Sequence, residues 1–325
     1  MNAAEPHGAQ GAPAPLLDAE AAAAAAATTA TPGAAPAAGR RRAPGPGPVA
    51  LVVAGGLSVQ FGSALAVLIM PRTGAFGVVT LRLAVAAVVL LLVCRPKVRG
   101  YTRRDWGTIL AFGLAMGGMN TLIYQAADRI PLGAAVTLEV LGPLALSVFA
   151  SRQWSSALWA VLALSGVALL GSSGFGGLDV AGTACALGAG ACWAAYIVFS
   201  AQTGRRFPQA DGLALAMAFA ALLSLPLGVL EAGGKLLDPV TLGLGAAVAL
   251  LSSVLPYTLE LIALRRMPAP TFAVLMSLEP AIAAGAGFLI LHQALTLVDA
   301  LAIALVIGAS VGAVRSRTRR EPSRK

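Results

Sequence analysis

The chain has 325 residues, 58% of them hydrophobic and 11% charged, with a mean hydropathy of +0.81. A soluble domain of this size could not cover so much apolar surface, so the composition excludes one and leaves an all-α, polytopic membrane protein. In a soluble chain the formal charge of +9 would suggest nucleic acid, but here it gathers at the ends of apolar runs, and no nucleic-acid partner is expected.

Residues 1–47 are Ala, Pro, Gly and Thr around "AAAAAAATTATPGAAPAAG", a disordered cytoplasmic tail because nothing in it can form a packed core. It does not read as a secretory signal: no basic residue precedes the Ala run, and Pro and Gly interrupt the residues after it. "RRR" at 40–42 stands just before the first apolar segment. From Pro48 ten spans are predicted, at 48–70, 74–94, 107–127, 131–150, 156–172, 180–201, 210–231, 239–264, 268–291 and 297–315. A basic cytoplasmic tail, 316–325, ends the chain.

Lys and Arg set the orientation. With the N-terminus cytoplasmic, the inner segments hold Arg40–Arg42, the "RPKVRGYTRRDW" loop (95–106), Arg152, Arg205, Arg206, Arg265, Arg266 and the "RSRTRREPSRK" tail, nineteen basic residues. The outer loops hold Arg72, Arg129 and Lys235, and one more, Arg82, is inside a span. An error of one span would scramble this alternation, so both termini are expected in the cytoplasm.

The second half repeats the first. Shifted by 137 residues, "AADRIPLGAAVTLEVLGPLAL" (126–146) falls on "ALRRMPAPTFAVLMSLEPAIA" (263–283), matching Ala126, Arg129, Pro131, Leu138, Leu141 and Pro143 with Ala263, Arg266, Pro268, Leu275, Leu278 and Pro280. Five spans per unit is an odd number, so the units 48–172 and 180–315 are expected to enter the bilayer with opposite orientations. Inverted repeats are a common plan of secondary transporters, with the solute site near the midplane.

Ionisable groups inside spans are costly and need a reason. Asp299 follows Thr296 by three residues and reads as a capping box. Glu260 lies about a turn and a half before Arg265 and Arg266, where it can pair at the interface or serve the pathway. Arg82, Glu139 and Glu279 each fall about halfway along a span, too deep to snorkel easily. A structural pair of Arg82 with one glutamate accounts for two of the three. A wet cavity lined by all of them accounts for the third.

Neighbouring residues support that cavity. Gly113, Gly117, Asn120 and Tyr124 make one helical stripe; Trp193, Tyr196 and Ser200 make another; Phe272, Met276, Glu279 and Ala283 share a face. Pro143 and Pro280, just after the glutamates, free backbone carbonyls toward the same region. Cys94, Cys185 and Cys192 have no metal-ligand spacing and read as packing residues, while His7 and His292 lie in a tail and a loop. No metal or cofactor is expected.

Four blocks then carry a family likeness: "GVVTLRLAVAAVVLLL" (77–92), "GLAMGGMNTLIYQAADRIPLGAAVTLEVLGPLALSVF" (113–149), "ALGAGACWAAYIVFS" (186–200) and "LPYTLELIALRRMPAPTFAVLMSLEPAIAA" (255–284). Over 48–315 the chain resembles the threonine/homoserine exporter family, in the EamA branch of the drug/metabolite transporter superfamily. The resemblance implies ten helices in two EamA repeats in the cytoplasmic membrane, exporting small neutral amino acids and related metabolites by proton antiport. The long tail before residue 48 departs from the family, which usually starts close to its first helix.

No site residue comes from the family; the assignment rests on charge. A zwitterion needs a cation for its carboxylate, and Arg82 is the only midplane cation. Glu139 or Glu279 would face the ammonium, with the other as proton carrier and Glu260 a third proton-coupling candidate. Asn120, Tyr124, Trp193 and Tyr196 complete the expected solute-binding set. The partners expected are thus a small solute, a proton and the lipid bilayer; nothing in the sequence fixes an oligomeric state. Alternatives are the same fold with another cargo, such as a hydrophobic cation, which Arg82 would repel, and, remotely, an integral-membrane enzyme. The enzyme reading lacks "HExxH", any helical histidine and paired intramembrane aspartates; "ADGLALA" (210–216) begins like an alcohol-phosphatidyl-transfer motif and does not continue as one.

Overall fold

The computed structural model describes residues 47–96, 98–151, 154–170, 179–207, 211–264, 266–267 and 269–318. The tail expected to be disordered before residue 47, and the basic segment from 319 onward, lie outside the described residues. Among these residues the chain is helical, without strands. In order, α1 is Pro48–Cys94, α2 Arg103–Ala127, α3 Leu132–Glu139, α4 Leu141–Ser151, α5 Trp154–Leu169, α6 Val180–Arg206 and α7 Asp211–Ala232. A 3-10 turn, Gly233–Leu237, leads to α8 (Pro239–Ala249), a π-helical turn (Leu250–Val254) and α9 (Leu255–Leu264). Then come α10 (Ala269–Met276), α11 (Glu279–Ile290) and α12 (Leu297–Thr318).

Among the described residues, five helices are long and apolar enough to cross a membrane: Pro48–Cys94, Arg103–Ala127, Val180–Gly204, Asp211–Leu237 and Leu297–Arg315. Shorter apolar helices cover Leu132–Leu146, Leu158–Leu169, Pro239–Val254 and Val274–Ile290, all within expected apolar runs. The 47 residues of α1 would extend about 70 Å if straight, more than twice a hydrocarbon core. Instead the helix breaks at Gly74 (φ 71°, ψ 173°), giving arms 48–73 and 75–94 on the first two expected runs. Glu231 Oε2, from α7, accepts the N–H groups of Phe76 (2.7 Å) and Gly77 (3.2 Å), so it caps the second arm. A Cβ at Gly74 would overlap that carboxylate, and its positive φ disfavours any side chain.

Other helix starts follow local chemistry. Thr102 and Asp105 form a capping box on α2. Thr296 and Asp299 form the expected one on α12: the Thr296 N–H donates to Asp299 Oδ2 at 2.8 Å and the Asp299 N–H to Thr296 Oγ1 at 3.2 Å. Such a cap contributes about 1 kcal/mol.

Two expected spans are not continuous. The run 131–150 divides into α3 and α4, and 268–291 into α10 and α11. Proline is the reason: it offers no N–H, and its ring collides with the carbonyl four residues earlier. α3 ends at Glu139, four before Pro143, and α10 ends at Met276, four before Pro280.

The first helices pack on the later ones: α1 on α7, α8 and α9, α2 on α6 and α7, α3 on α11, and α5 on α12. Small residues sit at these contacts, with Ala64, Ala134, Ala186, Ala216 and Ala283 fully buried while Leu230 and Leu297 face outward. Hydrocarbon gives no hydrophobic drive between helices, so close approach of small residues holds them together. Gly142 and Gly190 bring α4 and α6 backbone against backbone.

Candidate solute site

A cavity of about 470 Å³ lies among these helices, and the eight residues nominated from the sequence as solute-binding or proton-coupling groups line it: Arg82, Asn120, Tyr124, Glu139, Trp193, Tyr196, Glu260 and Glu279. The volume suits a small metabolite. At one end the lining reaches Cys94 of α1, Leu146 of α4, Leu213 of α7 and Val314 of α12. At the other it stops at a packed cluster of Ala64, Ala127, Leu132, Val136, Ala283 and Ala286. Beyond this cluster the Leu132 N–H donates to Gln293 Oε1 at 3.0 Å, and Arg72 meets Asp238 at 3.4 Å.

Arg82 is held by neutral groups. Its Nη1 donates to the Tyr124 hydroxyl at 2.9 Å, its Nη2 to the Ser252 carbonyl at 3.1 Å and its Nε to Ser253 Oγ at 3.3 Å. The guanidinium also stands 5.5 Å from the Tyr124 ring centre, over its face. The structural pair with a glutamate is therefore not what fixes Arg82. Glu139 and Glu279 are both buried, and Glu139 lies within electrostatic reach of Glu279 and of Arg82. One cation and three carboxyl groups, Glu139, Glu260 and Glu279, thus share a chamber lined otherwise largely by apolar and aromatic side chains.

The two breaks place the carboxyl groups differently. Glu139 is the last residue of α3 and Glu279 the first of α11. Phe272 and Met276 do not share one continuous helix face with Glu279; they reach the lining from α10, across the break.

The stripes divide as well. Asn120 and Tyr124 reach the cavity, with Asn120 Nδ2 donating to the Met116 carbonyl at 2.9 Å. Gly113 and Gly117 lie off the lining, packed against Ala216 and Ala220 of α7, because α2 crosses α7 there and needs small residues. Ser200 and Ala283 are buried off the lining, whereas Cys94, expected only to pack, lies on it. Glu260 is buried on the lining, with Gly55 against its side chain.

Sequence reading missed Gln60, Ser252, Ser253 and Ser277, all on the lining. The signal for the central pair was present in "SSVLP" (252–256): Pro256 stands four residues after Ser252, so it frees the Ser252 carbonyl that Arg82 takes. The π-helical turn at this point is the local form of that release.

The comparisons with known proteins agree with this architecture. The EamA-like transporter family model matches residues 180–315. The threonine/homoserine exporter RhtA of Salmonella typhimurium (strain LT2) is 41% identical over 280 residues, covering 86% of this chain and 94% of its own. RhtA of Escherichia coli (strain K12) is 41% identical over 267 residues, covering 82% of this chain and 90% of its own. A solved crystal structure, 19% identical, superposes with a TM-score of 0.53 over 84% of this chain and 99% of its own, a likeness of fold. With that identity over most of both chains, this chain belongs to the threonine/homoserine exporter family, among the EamA-like transporters.

Proposed function

We propose that this chain exports small neutral amino acids of the threonine and homoserine kind from the cytoplasm by proton antiport. Its helices then make ten spans in two inverted five-helix repeats, 48–172 and 180–315, with both termini cytoplasmic, and the cavity faces the cytoplasm. The observation that carries this reading is Arg82: a guanidinium on the cavity wall whose partners are two hydroxyls and a carbonyl. Its fork is positioned by neutral acceptors rather than by a hydrogen-bonded carboxylate, which suits a solute that brings a carboxylate of its own.

The glutamates then take separate roles. The first turn of a helix favours an anion and the last turn opposes one. Glu279, opening α11, is the counter-ion for the ammonium, and Glu139, closing α3, carries the proton. Asn120, Tyr124, Trp193 and Tyr196 shape the remaining wall, and Glu260 lies between the site and the cytoplasmic mouth as a relay for protons.

One charge crossing 100 mV yields about 2.3 kcal/mol, enough for roughly a 50-fold gradient with one proton per solute. The test is uptake of labelled homoserine and threonine into inverted vesicles holding the full chain. An imposed acid interior is expected to drive accumulation, and a protonophore to abolish it. Accumulation indifferent to the pH gradient would refute antiport; no uptake above empty vesicles would refute amino-acid export.

A further inference from the structure

Gln60 stands out because the roles above leave it unused. It sits on the first arm of α1, is 3% exposed and lines the cavity, and its Oε1 is buried without a hydrogen-bond partner. Leaving a buried amide unmatched is costly, so a protein keeps one where something else completes it. Two other buried side-chain atoms among the described residues share this condition, Asp299 Oδ1 and Ser310 Oγ. Asp299 is off the cavity and already serves its capping box. Ser310 lies on the lining near Ala313 and Val314, toward the mouth.

Helix register puts Gln60 at the depth of the carboxyl groups. Ala64, Val136 and Ala283 pack together in the cluster that ends the cavity. One turn from Ala64 back along α1 is Gln60, one turn from Val136 down α3 is Glu139, and one turn from Ala283 back along α11 is Glu279. All three steps lead from the cluster toward the same end of the bundle. Gln60, Glu139 and Glu279 therefore form one layer beneath the apolar seal.

We propose that Gln60 determines specificity by binding the side-chain hydroxyl of the solute, an inference that rests on the amino-acid reading above. With the carboxylate on Arg82 and the ammonium on a glutamate, a neutral group remains to be matched. A hydroxyl both donates and accepts, and a carboxamide offers an acceptor at one end and donors at the other, exchanged by a half-turn of its last torsion. A site built to bond a hydroxyl discriminates against the analogue without it, because the protein's own polar group is then left unpaired.

L-2-Aminobutyrate is the matching analogue: it is both threonine and homoserine with the hydroxyl removed. Uptake of labelled homoserine and 2-aminobutyrate is measured in inverted vesicles holding the wild-type chain or Gln60→Met, normalised to membrane abundance. The wild type is expected to prefer homoserine. Gln60→Met is expected to lower that preference about tenfold, through homoserine alone, with 2-aminobutyrate uptake within about twofold of wild type. Its melting temperature without solute is expected to equal or exceed the wild type's, since the unmatched amide is gone. An unchanged hydroxyl preference in Gln60→Met overturns the proposal, as does an equal fall for both solutes. If that variant fails to reach the membrane, thermal stabilisation of the purified wild type decides: greater stabilisation by homoserine supports the proposal, and equal stabilisation by the two solutes overturns it. Failure of the wild type to move either solute is a different result and refutes the export reading itself.

Discussion

The breaks between α3 and α4 and between α10 and α11 are the same backbone device used twice. Each helix stops four residues before a proline, at Glu139 before Pro143 and at Met276 before Pro280, positions related by the 137-residue shift. The carboxyl groups do not follow that shift. One ends the helix before its break; the other begins the helix after it. The backbone geometry is alike at the two breaks, and the asymmetry lies in the side chains, where two chemically alike residues meet opposite ends of helix dipoles.

The largest expected effect separates those two residues. Glu139→Gln is expected to reduce the roughly 50-fold solute accumulation driven by a 100 mV proton gradient to near equality with the outside. Glu279→Gln is expected to raise the half-saturating homoserine concentration about tenfold or more while leaving residual uptake driven by the gradient. Identical phenotypes in the vesicle assay would erase the distinction between the two breaks.

The prolines should behave alike where the glutamates do not. Pro143→Ala and Pro280→Ala each allow the helix to close across the break, with a local gain of up to about 3 kcal/mol. Both are expected to raise the melting temperature in detergent and slow turnover. A proline variant that stabilises without slowing transport would mean its break is only a packing accommodation.

Smaller effects test the surroundings of each break. Gly142, just after the first, lies on the Gly190 backbone, so Gly142→Ala is expected to cost about 1–3 kcal/mol. Gly285, on α11 after the second, would place an added methyl group with no neighbour within 4 Å, and Gly285→Ala is expected to be neutral or to stabilise by up to about 1 kcal/mol. Thermal melts of the two variants side by side check the difference.

Much of this was legible in the sequence because the bilayer forces it to be. Apolar runs set the helices, Thr296 and Asp299 announced a cap, and Arg82, Glu139 and Glu279 stood out because a charge at midplane depth demands a purpose. What escaped was whatever depends on which face meets which neighbour. Gly113 and Gly117 looked like cavity residues by periodicity, yet the crossing of α2 over α7 claimed them. Gln60 carries no charge and so gave no alarm, although burial leaves its amide as conspicuous as an ion. The broken helices were half legible: Pro143 and Pro280 promised freed carbonyls, but not that each run would divide into two helices there.

The cap at Gly74 bears on how such a molecule could be assembled. The second arm of α1 begins at a hinge completed by a carboxylate more than 150 residues later in the chain. Until α7 has been synthesised, Phe76 and Gly77 lack that acceptor, so the bend between the first two arms is finished by a helix made much later. Neither half of the sequence, expressed by itself, should reach this arrangement.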